Sequence, residues 1–532
     1  MSQNTFTMSR RSFIAGALAT GAALAMAKPS IDASVAFAND AAVDGGTLNY
    51  YLTDPVSIDP YNVQENQGMQ VCNALFDALT TYDGQQGKLI GKAASSWEAN
   101  EDATEFTFHL REGATFHNGE PVTAQSFVYA WNRLCSPLTD PENPSVVSYH
   151  LSMVEGYDDV VAGVKGATLN MEAKDDYTLV VHLSFSYADF PYVVSHLATA
   201  PVPESAASDM ATYQWAPVGN GAFKMDGKWE SGQYIKIVRN DAYWGDKAHI
   251  DGVDFKILLD IDTAYLEFEA GNLDNTQIPN GRISAVAAQY GVAPDGYTAN
   301  PGEETLLGPE DSIYYLTCNN QDKIFSNAHM RKAVSYAIDR QAICDTIFEG
   351  TRVPADNFIT PGIAGYEAGA WEAAKYDVAA AKEEIELAKK DLGVDSFSII
   401  LNCNSGSGHE DIMQLIMANL KEIGVEAKME AVEWASYLQK LQDGDYQIGR
   451  LGWIADYPIM DNYLYPMFYT GNGDNRSQYS NPAVDEALSA ARAIVDDAER
   501  IAALQKVNRM IAEDFPVIPL MLPSHHCLLQ PC

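Results

Sequence analysis

The run from Phe397 to Trp434 constrains this chain more than any other stretch. "FSIIL" reads as a strand, "EDIMQLIMANLKEIG" carries apolar residues at helical spacing and closes on a glycine, and "VEAKMEAVEW" returns to alternation. Strand, helix and strand in that order form a βαβ unit. Its two strands must lie parallel, because a tight hairpin joins only antiparallel neighbours, and the helix crosses one face of the sheet. "YQIGRLGW" looks like a further strand, with "IADYPIMDNYLYPMF" leaving its end. In open α/β sheets ligands bind in the crevice beyond the carboxyl ends of the strands. Trp434 and Asp456 both fall there. Asp456 stands among large apolar side chains, where a carboxylate is costly to bury unless something positive meets it.

The remainder mixes strands and helices. "GGTLNYYL", "EFTFHLREG", "DYTLVVHLSF", "YIKIVRNDAYWGD" and "IDGVDFKILLD" read as strands. "GMQVCNALFDALTTYDG" reads as helix running into a turn, and Thr123 is placed to cap the helix that follows it. "NAHMRKAVSYAIDRQAICDTIFEG" reads as an amphipathic helix whose apolar stripe is interrupted by Asp339 and Arg340. "YDVAAAKEEIELAKKDLGV" is a helix with acid–lysine pairs on its exposed face, closed by Gly393. At 532 residues the chain exceeds what one hydrophobic core holds, so two or three domains are expected.

Charge and motifs narrow the function classes. Acids outnumber bases 72 to 34, for a net charge of −38, which repels nucleic acid and anionic lipid in the absence of a concentrated basic patch. No such patch is present, so neither is an expected partner. The seven cysteines are scattered, without CxxC or zinc-finger spacing, so a metal site is not expected and disulfide pairing is not legible. "VGNGAF" lacks the strand-to-helix setting of a dinucleotide loop, and "NSGSGHE" lacks the lysine of a phosphate loop. There is no GxSxG or HExxH, and His525, His526 and Cys527 form only a short tail. The reading is therefore of a protein that is not an enzyme and carries no cofactor. Near the start, "MSRRSFIAGALATGAALAMA" pairs Arg10 and Arg11 ahead of an apolar run too short to span a membrane. This resembles a twin-arginine export signal, cut after Ala27 or, as favoured here, after Ala38. The mature chain is expected outside the cytoplasm, in a periplasm or on the outer face of the membrane.

Several stretches, in order along the whole mature chain, then agree with one family. "SIDPYN", "ALFDALTTYD", "FTFHLREGATFHNGEPVTAQSFVYAWNRL", "DYTLVVHLS", "NGAFKM", "RNDAYWGD", "MRKAVSYAIDR" and "GWIADYP" resemble the oligopeptide- and dipeptide-binding proteins of ABC importers, the family 5 extracellular solute-binding proteins. The resemblance implies an α/β, two-lobed periplasmic-binding-protein (Venus flytrap, class II) fold with an additional domain, closing on ligand by a hinge. It implies residues 1–38 as signal; 39–76, 201–314 and 500–532 as lobe I; 77–200 as the extra domain; and 315–499 as lobe II. It also implies a monomer that binds peptide in the cleft and hands it to permease subunits. Relatives take nickel chelates, haem, sugars or opines, and a signalling or chaperone role is a further alternative.

The same resemblance names site residues. In Gly452-Trp453-Ile454-Ala455-Asp456-Tyr457 the aspartate matches the residue that pairs with a peptide's α-amino group, chemistry a neutral sugar or metal chelate does not offer. Trp434 and Trp453 match aromatic walls of the cleft, and Tyr149 a cleft tyrosine. His409 lies near a position that reaches the peptide's carboxylate end, and Arg450 near a cleft arginine. Two departures stand out: Gln64 replaces a family glutamate, and Leu441 replaces an arginine seven residues after the tryptophan of "VEW". The amine end of a ligand is thus predicted and the carboxylate end left open.

Overall fold

The computed structural model describes residues 44–84 and 86–530, so the expected export signal, its expected cleavage sites and Cys532 lie outside the described residues. The βαβ unit is present as read. Strand Phe397–Asn404 runs parallel to Val425–Val432, Phe397 opposite Val425, and helix His409–Glu422 connects them. That helix buries Ile412, Met413, Ile416 and Leu420, the stripe that its helical spacing predicts. The unit forms one edge of a six-stranded mixed sheet in the order Val353–Pro354, Val517–Leu522, Ser312–Cys318, Ile448–Ile454, Phe397–Asn404, Val425–Val432. Every residue of the central strand Ser312–Cys318 is buried, as a strand covered on both faces requires.

Two further four-stranded sheets make up most of the other body. In one, Thr47–Leu52 lies parallel to Gly252–Ile257, followed by Tyr234–Arg239 and Phe223–Met225. The other is antiparallel, in the order Ala94–Ala99, Glu105–Leu110, Thr178–His182, Met171–Asp175, with helix Ala124–Cys135 against it. Thr123 caps that helix, its backbone N–H donating to Ser126 Oγ at 3.2 Å. Close packing here depends on Gly219, because a Cβ on it would lie 2.0 Å from the Leu75 carbonyl oxygen.

The apolar side chains gather into two cores. One is drawn almost wholly from residues between Leu48 and Ile257, the other almost wholly from residues between Ala264 and Leu528. The segment expected as an extra domain shares the first core with the Thr47–Leu52 sheet. A small sheet of Asn275–Gln277, Cys527–Leu529 and Thr305–Leu306 belongs to both bodies: Cys527 and Leu529 face the first core, and Leu528 between them faces the second. Arg500, near the C-terminus, reaches across to Asp189 with two contacts of 2.8 Å.

Two expectations need correction. The "NAHMRKAVSYAIDRQAICDTIFEG" stretch is two helices, Ala328–Ala337 and Arg340–Phe348, because Asp339 caps the second by accepting the Ala342 N–H. The apolar stripe runs through the break and conceals it. The helix beginning near Gly68 spans only Asn66–Leu75, and Thr80–Asp83 continues as a strand. The six cysteines among the described residues are all free and buried.

Candidate ligand-binding site

The strand Ile448–Ile454 is bordered on one side by Ser312–Cys318 along its whole length. On its other side the ladder with Phe397–Asn404 covers only Ile448 and Gly449. Tyr437, fully buried, explains the divergence. Its hydroxyl donates to the Arg450 carbonyl at 2.6 Å and stands 3.2 Å from that of Asn402, so a phenol fills the place of the next ladder bond. The backbone from Leu451 to Ile454 is therefore an edge inside the molecule, free to accept an extended chain. Gly452 on that stretch is exposed and carries nothing that would cover it.

Asp456 lies two residues beyond this edge, where the chain passes between the bodies: Ala455 packs in the second core and Tyr457 in the first. A reciprocal pair fixes the turn, the Asp456 N–H donating to Asn462 Oδ1 and Asn462 Nδ2 donating to Asp456 Oδ2, both at 2.9 Å. Asn462 is held in turn by the helix Met460–Phe468. Asp456 is thus no lone acid among aromatics. His196 Nε2 lies 3.5 Å from Oδ1, and His150 stacks on His196 with ring centroids 4.0 Å apart. Burial by itself would raise the Asp456 carboxyl, but His196, His150 and Asn462 hold it below the ordinary carboxylate value. The carboxylate is ionised and poised for a cation.

Tyr149 joins the same cluster from the short helix Ser148–Leu151. Its hydroxyl donates to Asp474 Oδ2 at 2.6 Å, and burial with that acid beside it raises the phenol well above its usual value. Arg476 closes the chain of contacts, its Nη2 3.0 Å from Gln64 Oε1 and 3.5 Å from Asp474. Gln64 and Tyr149 flank Val63, Val147 and Leu151 of the first core, and Asp474 and Arg476 lie between Phe468 and Tyr479 of the second, so the network spans the junction.

A cationic group lies on the other part of the strand. Arg450 packs its guanidinium 5.0 Å from the Tyr314 ring centroid and donates to Asn404 at 3.2 Å, while its Nε is buried without a hydrogen-bond partner. His409, the first residue of its helix, shares a 3.3 Å hydrogen bond with the Tyr314 hydroxyl. Burial, then the charges of Arg450 and Arg352, push its pKa well below that of a free histidine, so it is neutral. Trp434 and Trp453 are half-buried against the second core, and the indole N–H of each is buried without a partner. The predicted residues thus divide into two neighbourhoods, Gln64, Tyr149 and Asp456 at the junction and Arg450 and His409 around Tyr314, with Gly452 and Trp453 on the strand between.

The sequence model for bacterial extracellular solute-binding proteins, family 5 (middle region), matches residues 88–475. The chain belongs to this family. Among relatives of this family 5 protein, the periplasmic oligopeptide-binding protein OppA of Haemophilus influenzae is 30% identical over 501 residues, covering 90% of this chain and 88% of its own. The oligopeptide-binding protein OppA of Bacillus subtilis is 29% identical over 488 residues, covering 89% and 87%. The crystal structure of Haemophilus influenzae OppA in complex with RPPGFSPFR matches with a TM-score of 0.79 and 27% identity, over 91% of this chain and 95% of that one. The family 5 protein therefore has the two-lobed α/β binding-protein fold.

Sequence reasoning missed His150, His196, Asp474 and Arg476. His150 lies on the short helix Ser148–Leu151 and His196 on a bend, both remote in sequence from Asp456, and no spacing ties them to it. Arg476 had no sequence signal either, because its 3.0 Å contact with Gln64 joins residues 412 positions apart. His525 and His526 are structural: His525 Nε2 bonds the Gly296 carbonyl at 2.7 Å, and His526 Nε2 bonds Ser524 and Thr351.

Proposed function

We propose that this chain is an extracytoplasmic receptor that binds peptides between its lobes and delivers them to the permease subunits of an ABC importer. One observation carries the reading: an unpaired interior strand edge, Leu451–Ile454, ends two residues before an ionised Asp456. An extended peptide laid on that edge gains main-chain hydrogen bonds whatever its sequence, and its α-ammonium reaches the carboxylate. Arg450 and neutral His409 supply donors for the carboxylate end, and the free indole N–H groups of Trp434 and Trp453 can serve ligand carbonyls. Peptide binding by the oligopeptide-binding relatives supports the same ligand class. Export, a monomeric state and a role without catalysis belong to this proposal.

Calorimetry with one short peptide, carrying either a free or an acetylated amine, tests it. The free amine should bind at least about 100-fold more tightly, since acetylation removes the charge that meets Asp456. Equal affinities would sink the reading.

A further inference from the structure

An α-ammonium has three N–H donors, while each Asp456 oxygen already faces a donor, Oδ1 the His196 ring and Oδ2 the Asn462 amide, so the carboxylate alone does not satisfy it. A second acceptor must come from elsewhere. A ring nitrogen of His150, a ring nitrogen of His196 and a carboxylate oxygen of Asp456 all lie within 4.8 Å of one another. His196 is not the acceptor. Its Nδ1 already accepts the Ala198 N–H at 3.2 Å, which leaves Nε2 as the N–H donor facing Asp456. The same argument tells against a transition-metal ion on these three residues, since His196 has no spare lone pair to give one.

His150 differs. It is 2% exposed, and its Nδ1 is buried without a hydrogen-bond partner, a costly arrangement unless a ligand group supplies one. No neighbour at that atom fixes its tautomer. Two acceptors bridged by one ammonium nitrogen, each at about 2.9 Å and near the tetrahedral angle, stand roughly 4.7 Å apart. A His150 ring nitrogen and an Asp456 oxygen, within 4.8 Å of one another, are close enough for one ammonium to bridge them.

We propose that His150 is the second acceptor for the ligand's ammonium, making the site selective for a primary amine over a charged but alkylated one. This rests on the peptide reading above and deepens it. His196 then acts as a positioning residue, stacking under His150 at 4.0 Å and keeping a donor on Asp456.

The test uses one peptide with a free, an N,N-dimethylated or an acetylated amine, against the wild-type protein, His150→Phe and His150→Gln. The dimethylated form keeps its charge and one N–H. Wild type should prefer the free amine to the dimethylated one by about tenfold or more, the worth of a hydrogen bond to a charged group. His150→Phe keeps the stacked ring and should reduce that preference to within about threefold, while His150→Gln, which offers a carbonyl, should restore it. Thermal unfolding of both variants shows that they fold, and a preference unchanged in His150→Phe overturns the inference. Failure of the broader peptide reading would look different, as equal wild-type binding of free and acetylated peptides.

Discussion

Asp456→Asn is the most informative single substitution, because it removes the charge and little else. The carboxamide oxygen still accepts from Asn462, now at 2.9 Å, so the turn between strand and helix is retained. The amide group will instead face the Nε2–H of His196, 3.5 Å from the present oxygen, placing two donors together. That mismatch should cost about 1 kcal/mol of stability. The effect on binding is larger. A unit charge pair at about 3 Å with an effective dielectric constant near 20 is worth about 5 kcal/mol, less desolvation, and truncating such pairs costs roughly 2–5 kcal/mol. We expect the variant to bind a free-amine peptide roughly 100- to 1,000-fold more weakly by calorimetry. The acetylated peptide should bind both proteins within about threefold of each other. A variant that keeps wild-type affinity for the free-amine peptide would show that the ligand's ammonium lies elsewhere.

Three other outcomes follow from the same geometry. Arg450→Gln should weaken peptides with a free C-terminal carboxylate by about tenfold and leave C-terminally amidated ones nearly unchanged, as a titration of both forms will show. Arg476→Met strips the buried Asp474 of its cation and Gln64 of its donor, and should lower stability by about 3 kcal/mol in denaturant unfolding. His117 provides a pH dependence: burial lowers its pKa to about 4, and its Nδ1 accepts the Gly219 N–H at 3.1 Å, so protonation would break that bond. The unfolded chain takes up this proton below about pH 6.5 while the folded chain does not, so stability falls as pH drops from about 6.5 to about 4 and levels off below. The stability deficit of His117→Gln against wild type should shrink by up to about 3 kcal/mol between pH 7.5 and pH 4, and a constant deficit would contradict the assignment.

How much of this was legible depended on whether the signal was local. The βαβ unit was, because period and length alone separate its strands from its helix, and Asp456 was placed correctly beyond a strand end. The break at Ile338 was not, since Asp339 reads as a polar interruption of a helix until its capping bond to Ala342 is seen. Nor was the unpaired edge. It exists because Tyr437, from a neighbouring helix, wedges two strands apart, and nothing in "RLGWI" itself records that. His150 and His196 reach Asp456 from the other body of the molecule. Their place beside Asp456 depends on tertiary contact, as does the contact of Arg476 with Gln64.

The central claim is that the cleft holds peptides by their backbone and amine, with little demand on side chains. Native mass spectrometry of the protein as purified tests this most directly, by weighing what co-purifies and fragmenting it after release. The account predicts a set of bound masses that fragment as short peptides of varied sequence, each with a free amine. A single defined metabolite without peptide bonds would contradict it.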